Sequence, residues 1–311
     1  MTGASVATIT TLTQKQFVRQ RRRRALVDFW RRLRQDRLAM LGLIVLIGFA
    51  VMALIAPWIS PKSGLSATES IDNPLWAPPS RDFPLGTDNL GRSVAAQFVW
   101  GSRVSLVVGL AATVLTITIG SVIGITAGFF GGKLDTVLMR ITDWFLVIPF
   151  LPLAIALAAV LDRSIWNIVF VIGVTSWPGT ARLIRAQVLT VKQRLYVDRA
   201  RSLGATRGYV VRRHIFPNVA PLILANVTLA VPISILTETT LAFLGLGDPT
   251  HASWGKTLEE AFNAGAITRH AWWYYWPAGI GIVCVVLAFT LFGRAMEEIL
   301  DPRLRERRLQ S

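Results

Sequence analysis

Residues 38–59 read LAMLGLIVLIGFAVMALIAPWI, and this stretch decides the fold class. It runs for 22 residues without a charged side chain. An α-helix rises about 1.5 Å per residue, so about 20 apolar residues cross the roughly 30 Å hydrocarbon core of a bilayer. The stretch therefore predicts a membrane-spanning helix.

Five further apolar segments predict additional spans, so the expected fold is an all-α membrane protein with six transmembrane helices within residues 38–295. The segments lie near residues 104–129, 135–161, 164–186, 217–246 and 272–293. Hydrophobic residues make up 52% of the chain and charged residues only 16%, which argues against an ordinary soluble enzyme. Pro149, Pro152 and Pro178 fall inside predicted spans and predict kinks, which a packed helix bundle tolerates.

Glycines recur every fourth residue in the second predicted span, at Gly120, Gly124 and Gly128. Small residues at this spacing line one helix face and let another helix backbone approach closely. The pattern predicts tight helix packing and carries no chemistry of its own.

The basic residues gather on one side of the predicted topology. The net charge of +15 would also suit a nucleic-acid-binding protein if the charge lay on one soluble face. Instead, 26 of the 33 Lys and Arg residues lie in the termini and in the loops on their side. The positive-inside rule assigns that side to the cytoplasm, so both termini and the loop 187–216 are predicted to be cytoplasmic. Loops 60–103 and 247–271 are then outside, and no nucleic-acid partner is expected.

The two ends of the chain are predicted to lie outside the bundle. Residues 1–24 are expected to form a disordered basic tail, and residues 296–311 a cytoplasmic tail. Residues 25–37 have the pattern of an amphipathic helix with an apolar face and many arginines. That apolar face consists of Leu26, Phe29, Trp30 and Leu33. Such a helix is expected to lie in the headgroup layer.

The loop 187–216 is the most informative segment for function. Good helix formers at 192–203 followed by Gly204 predict a short helix with a glycine end, and 205–214 predicts a second one. Pro217 then fits the first turn of the fifth span, where its missing N–H costs nothing. Two short cytoplasmic helices suit a docking surface for a partner protein, and a basic loop on the membrane surface is the alternative.

The same loop resembles the EAA motif of ABC importer permeases. The acidic, second alanine, glycine and proline positions of that motif correspond to Asp198, Ala200, Gly204 and Pro217. Arg199 stands where the motif has its first alanine, and a phenylalanine precedes the proline where leucine is usual.

Four other strings are similar to the oligopeptide/dipeptide/nickel permease family, and to its C-type subunit in particular. They are PLGTDNLGR at 84–92, LAFLGLG at 241–247, SWG at 253–255 and DPRLR at 301–305. Ser93 follows the first string where the family has aspartate. The resemblance extends over nearly the whole chain.

The resemblance implies a type I ABC importer permease in a bacterial inner membrane. The loop 187–216, hereafter the coupling loop, would sit in a groove on a separate ATPase and transmit its movement to the helix bundle. The residues expected at this contact are Tyr196, Asp198, Arg199, Ala200, Arg201, Gly204, Ala205, His214 and Pro217. The expected partners are a second, different permease subunit, two ATPase domains that bind ATP and Mg²⁺, and an extracytoplasmic substrate-binding protein. Peptides are the first substrate hypothesis, with nickel, glutathione or other small solutes as alternatives.

Two residues outside the loop are candidates for the translocation pathway or a gate. Glu238 is the acidic residue inside the fifth predicted span, and such groups usually face a cavity or a partner. A purely structural hydrogen bond to a neighbouring helix is the other interpretation. Trp254 belongs to an aromatic set near the second outer loop that is otherwise typical of a membrane-interface belt.

The sequence gives no sign of catalytic chemistry. Gly255, Lys256 and Thr257 resemble the end of a P-loop, but the first glycine of that motif is absent. One cysteine and three scattered histidines predict neither a metal site nor a bound cofactor in this chain. The rival hypotheses are an ion-driven secondary transporter, an intramembrane enzyme and a membrane scaffold. The first would work without an ATPase, the second needs a catalytic set, and the third leaves the loop motif unexplained.

Overall fold

The computed structural model describes residue 27 and residues 30–300, apart from the side chain of residue 300. The predicted tail 1–24 lies outside this range, as do residues 301–311 of the predicted tail 296–311, whereas residues 296–300 are helical. Ten α-helices follow one another from Arg37 to the end of the described part. They are α1 (Arg37–Ile59), α2 (Val94–Phe130), α3 (Gly132–Val147), α4 (Phe150–Val160), α5 (Ile165–Lys192), α6 (Leu195–Ser202), α7 (Arg207–Val210), α8 (Phe216–Leu241), α9 (Trp254–Asn263) and α10 (Trp272–Leu300).

Four helical segments of the described chain are long and apolar enough to cross a membrane. They are α1, α2, the continuous segment Arg207–Leu246 and α10. The pair α3–α4 is bent by 89° and would make a fifth span if it crosses as one unit. The bend falls at Pro149, because proline disfavours helical backbone in the residue before it. The predicted kink in the third span is therefore confirmed.

Helix α5 coincides with the fourth predicted span but is less apolar than the four segments above. It is 28 residues long and includes Pro178, Arg182 and Arg185. Arg185 binds Asp135 of α3 through two hydrogen bonds of 2.6 and 2.7 Å, and Arg182 binds Asp143 at 2.6 Å. The polar residues that lower its apolarity are thus partly used in contacts within the protein.

The predicted glycine packing is confirmed at the interface between α2 and α5. A Cβ atom on Gly124 would lie 2.6 Å from the carbonyl oxygen of Ala181, and one on Gly120 would lie 2.6 Å from the Cβ of Thr180. Gly128 approaches α5 in the same way. The two backbones pack as closely as they do because these positions carry no side chain.

The segment before α1 is only partly described. Residues 30–35 are helical, and Asp36 then caps α1 by accepting hydrogen bonds from the backbone N–H groups of Leu38 and Ala39. Trp30 is exposed, whereas Leu33 is buried in a cluster with Ala295 of α10. This part of the predicted amphipathic helix therefore packs on the bundle through Leu33.

The second short helix predicted at 205–214 is wrong as a separate element. From Arg207 the chain forms α7, a π-helical turn (Val211–Ile215) and α8 without a break. Val210, Ile215 and Val219 are buried in one apolar cluster with residues of α5, so packing favours a continuous helix. Pro217 lies in the first turn of α8, directly after the π-helical turn.

Candidate functional site

The turn of the coupling loop is built around Gly204. Its φ angle is +81°, a conformation that side chains other than glycine rarely adopt. The N–H of Gly204 donates to the carbonyl of Arg201 (2.9 Å), and the N–H of Ala205 donates to that of Ala200 (3.0 Å). These bonds satisfy carbonyls at the end of α6, so the predicted glycine end of this helix is confirmed.

Apolar side chains attach the coupling loop to the bundle. Val197 of α6, Val210 of α7 and Ile215 are buried in one cluster. The same cluster contains Val188 of α5 and Phe129 at the end of α2. Val197 is the one buried side chain of α6, so this residue anchors α6 to the ends of these helices.

The opposite face of α6 is exposed. Leu203 is 87% exposed and Leu195 is 77% exposed, and no described residue covers either side chain. Asp198 also points outward, and it approaches Arg201 only to 3.9 Å. An exposed surface that combines leucines with loosely paired charges is typical of a contact for another protein.

The remaining residues predicted for this contact occupy different environments. The exposed residues are Tyr196, Arg199 and Pro217, whereas Ala200, Ala205 and His214 are half-buried. The ring of His214 lies 5.8 Å from that of Tyr196 and 5.9 Å from that of Tyr209. His214 therefore lies beside α6, although it follows Asp198 by sixteen residues in the chain. Tyr209, which was not among the predicted contact residues, lies beside His214.

Glu238 and Trp254 come together deep in the protein. Glu238 is 1% exposed, and its Oε2 accepts a hydrogen bond from Ser105 of α2 (3.1 Å). The same Ser105 hydroxyl accepts a hydrogen bond from the backbone N–H of Trp254 (3.3 Å). One serine thus connects α2, α8 and the start of α9.

The Trp254 indole is enclosed by protein rather than placed in an interfacial belt. It is 0% exposed, and its Nε1 donates to the carbonyl of Phe98 (3.0 Å). Its ring stacks on Phe98 and meets Phe49 edge to face. Gly101 and Gly281 lie against the same indole, which fixes the helices around it.

Replacing Glu238 with glutamine is expected to leave the amount of protein in the membrane unchanged, because the amide oxygen can still accept from Ser105. Alanine removes the acceptor and leaves a cavity, at a cost of about 1–3 kcal/mol of unfolding free energy. Membrane levels and thermal unfolding of the two variants test this. Substrate uptake by Glu238→Gln then distinguishes a structural role from a role in the pathway or a gate. If the variant is present at its normal level and is stable but transports no substrate, the carboxylate belongs to the pathway or a gate.

A second buried polar cluster joins the two predicted outer loops. Asp88 is fully buried, and its Oδ1 accepts from the N–H groups of Leu90 and Arg92, both at 2.8 Å. Its Oδ2 accepts from Arg92 Nε (2.6 Å) and Gln97 Nε2 (2.7 Å). Arg92 also donates to Glu260 of α9 (2.6 Å), so one guanidinium connects loop 60–103 to loop 247–271.

Charge keeps Arg92 protonated in this cluster. Burial alone lowers its pKa, but the carboxylates of Glu260 and Asp88 outweigh burial and raise the pKa above its ordinary value. Arg92, Gln97 and Glu260 were not predicted as partners. The sequence contains one signal for part of this cluster, the spacing of four residues between Asp88 and Arg92.

The glycine of the LGTD string has a packing role in the same region. Gly86 has φ of +74°, and a Cβ there would lie 2.4 Å from the carbonyl oxygen of Ala77. The neighbouring Thr87 accepts from the Ala77 N–H (2.8 Å) and donates to the Pro74 carbonyl (2.6 Å). Trp273 of α10 donates to the Thr87 carbonyl (3.2 Å), which ties the loop to the last helix.

No group of three or more metal-binding side chains comes together within the described part of the chain. Long apolar helices packed through glycines are typical of an integral membrane protein, and the exposed leucines of α6 are typical of a contact for another protein. Residues 120–306 match the family described as binding-protein-dependent transport system inner membrane component. Residues 25–79 match the N-terminal TM domain of oligopeptide transport permease C. The chain belongs to this family and is a permease subunit of an ABC importer.

Several relatives align over most of the chain. The dipeptide transport system permease protein DppC of Bacillus subtilis is 37% identical over 89% of this chain and 86% of its own length. The oligopeptide transport system permease protein OppC of the same organism is 37% identical over 90% of each. The glutathione transport system permease protein GsiD of Pectobacterium atrosepticum is 35% identical over 89% of this chain and 91% of its own length.

Proposed function

We propose that this chain forms half of the translocation pathway of an ATP-driven importer for dipeptides or oligopeptides. The observation that carries the proposal is the coupling loop, where α6 is anchored to the bundle through the buried Val197 and is exposed on its outer face. A partner that moves α6 would move the ends of α2, α5 and α8 with it. Such rigid-body movement can switch a bundle between two states.

The proposed topology has six spans with both termini in the cytoplasm. Helix α5 supplies the fourth span and brings the number to six, since at about 1.5 Å per residue it is about 42 Å long and exceeds the hydrocarbon core. Its packing against α2 supports this placement, because Trp177, Thr180 and Ala181 are buried by protein. The bent pair α3–α4 supplies the third span.

The proposed assembly contains this chain, a second permease subunit, two ATPase domains and an extracytoplasmic binding protein. ATP and Mg²⁺ would be bound by the ATPases. The exposed face of α6 would contact the ATPase groove through Asp198, Arg199 and Leu203. The cluster of Asp88, Arg92 and Glu260 would give the outer side a fixed shape for the binding protein.

The substrate proposal rests on the relatives. Proteins named for dipeptide, oligopeptide and glutathione transport are all similar to this chain, and all three substrates are peptides. Nickel or another small solute remains the alternative within the same importer class. An ion-driven secondary transporter is the alternative of a different class, and uptake by this chain without any ATPase would favour it.

Replacing Gly204 with valine tests the coupling proposal. A β-branched residue at φ of +81° is strained by about 1–3 kcal/mol, and relief of that strain would displace the end of α6. We expect peptide uptake to fall about tenfold, the equivalent of 1.4 kcal/mol, while the complex still hydrolyses ATP. The measurement is uptake and ATP hydrolysis by the reconstituted complex.

Gly208→Val is the matched control. Gly208 is an exposed helical residue of α7 with open space around its α-carbon, so this variant adds the same side chain without the φ strain. It is expected to transport normally. Normal uptake by Gly204→Val at normal membrane levels would contradict the coupling proposal.

A further inference from the structure

A cavity of about 340 Å³ lies where α2 and α5 end beside the coupling loop. Lys192, Arg201 and Arg207 line it with positive charge, and Phe129 and Phe130 form its aromatic wall. No acidic side chain lines it among the described residues. Its volume lies within the usual range for small-ligand sites.

Two of the cations that line this cavity lie against the same aromatic ring. The ammonium group of Lys192 lies 6.0 Å from the centre of the Phe129 ring, and the Arg201 guanidinium lies 5.5 Å from the same ring. Arg201 reaches Asp198 only at 3.9 Å, a loose and exposed contact. Like charges in this arrangement repel, so a bound anion would stabilise it.

The position of the cavity along α2 indicates which anion fits. Phe130 is the last residue of α2, and its side chain is about half exposed. Gly131, Gly132 and Lys133 follow at once, so the apolar span ends at this cavity. The end of an apolar span lies at the level of the lipid headgroups.

We propose that this cavity binds the headgroup phosphate of an anionic phospholipid, with Lys192 and Arg207 as its principal ligands. The glycerol and upper acyl chain lie against the exposed face of Phe130. The inference rests on the proposed topology, which places the cavity at the cytoplasmic leaflet, where anionic lipids are common. Because its cations come from α5, α6 and α7, the bound lipid ties the coupling loop to the bundle.

Lipid retention by the complete importer complex tests the proposal. The double variant Lys192→Gln/Arg207→Gln is purified in mild detergent with equal amounts of phosphatidylglycerol and phosphatidylcholine, and native mass spectrometry counts the bound lipids. Each lost charge is expected to weaken phosphatidylglycerol binding about fivefold, so the double variant loses about 25-fold. Detergent exposes both ends of the complex, so this readout is independent of orientation and of transport.

Two matched variants control for charge and folding. Arg212→Gln/Arg213→Gln removes the same charge from the coupling loop, and neither side chain lines the cavity, so it should retain the lipid. Lys192→Arg/Arg207→Lys keeps both charges and should also retain it. Intact complex on gel filtration establishes that each variant is folded.

Three results would overturn the proposal. One is that the double variant binds as much phosphatidylglycerol as the wild-type complex, whether or not the ATPase subunits are lost. Another is equal loss in the Arg212/Arg213 control, which would mean unspecific attraction. The third is complete displacement of the lipid by millimolar inorganic phosphate, which would assign the cavity to a free anion. In each of these cases, normal peptide uptake by the wild-type complex would still support the proposed transport function.

Discussion

Replacing Gly124 with valine is expected to remove most of the protein from the membrane. A Cβ atom at this position would lie 2.6 Å from the carbonyl oxygen of Ala181 and 2.9 Å from the Cβ of Ile184. The first of these contacts is with backbone, which cannot rotate away, so α2 and α5 must separate. We expect a loss of about 3 kcal/mol of unfolding free energy, the upper end for an overpacked core. That is a large share of the 5–15 kcal/mol that holds a typical protein folded.

Membrane levels and thermal unfolding of the purified complex measure this effect. Gly179→Val is the matched control, because Gly179 lies in α5 near the same level and a Cβ there meets no atom within 4 Å. It should be produced and transport as the wild type does. Equal amounts of the two variants in the membrane would show that close packing of α2 on α5 is dispensable.

Replacing Asp88 with asparagine should have the second large effect. The buried carboxylate accepts four hydrogen bonds, and an amide in its place would direct its N–H₂ group toward the donors of Arg92 and Gln97. Removing one partner of a buried ion pair costs about 3–5 kcal/mol. We therefore expect weaker attachment between the outer loops, a lower unfolding temperature and little uptake.

The pair between Arg182 and Asp143 provides the control for Asp88. Its nitrogen–oxygen distance is also 2.6 Å, but the two side chains are 53% and 47% exposed. Asp143→Asn leaves no fully buried charge without its partner, so it is expected to cost less unfolding free energy than Asp88→Asn. Similar unfolding temperatures for the two variants would contradict the role of burial at Asp88.

Much of the fold was predictable from local sequence. Uncharged runs of about 20 residues identified α1 and α10, because the bilayer sets the length of a spanning helix. The glycine repeat identified the α2–α5 interface, since spacing of four residues repeats on one face of a helix. Helix α5 was predicted as a span from its apolar run, but no local pattern reveals that its arginines pair with α3.

The candidate site was predicted in part. Asp198 and Gly204 were recognised from their spacing, and the glycine end of α6 followed from the conformational freedom of glycine. The continuation of α7 into α8 was missed, because burial of Val210 and Ile215 outweighed the helix-start signal of Pro217. Glu260 was missed as a partner of Arg92, since 168 residues separate them.

The sequence by itself determined that this chain lies in a membrane and which family it belongs to, and it predicts where the coupling loop is. These properties depend on runs, spacings and motifs, and each single run or motif is complete within about 30 residues. Only the tertiary structure decided which buried groups meet: Ser105 with Glu238 and Trp254, and Arg92 with both outer loops. The physical reason is that a hydrogen bond or an ion pair forms between groups that the fold brings within about 3 Å, whatever their separation along the chain.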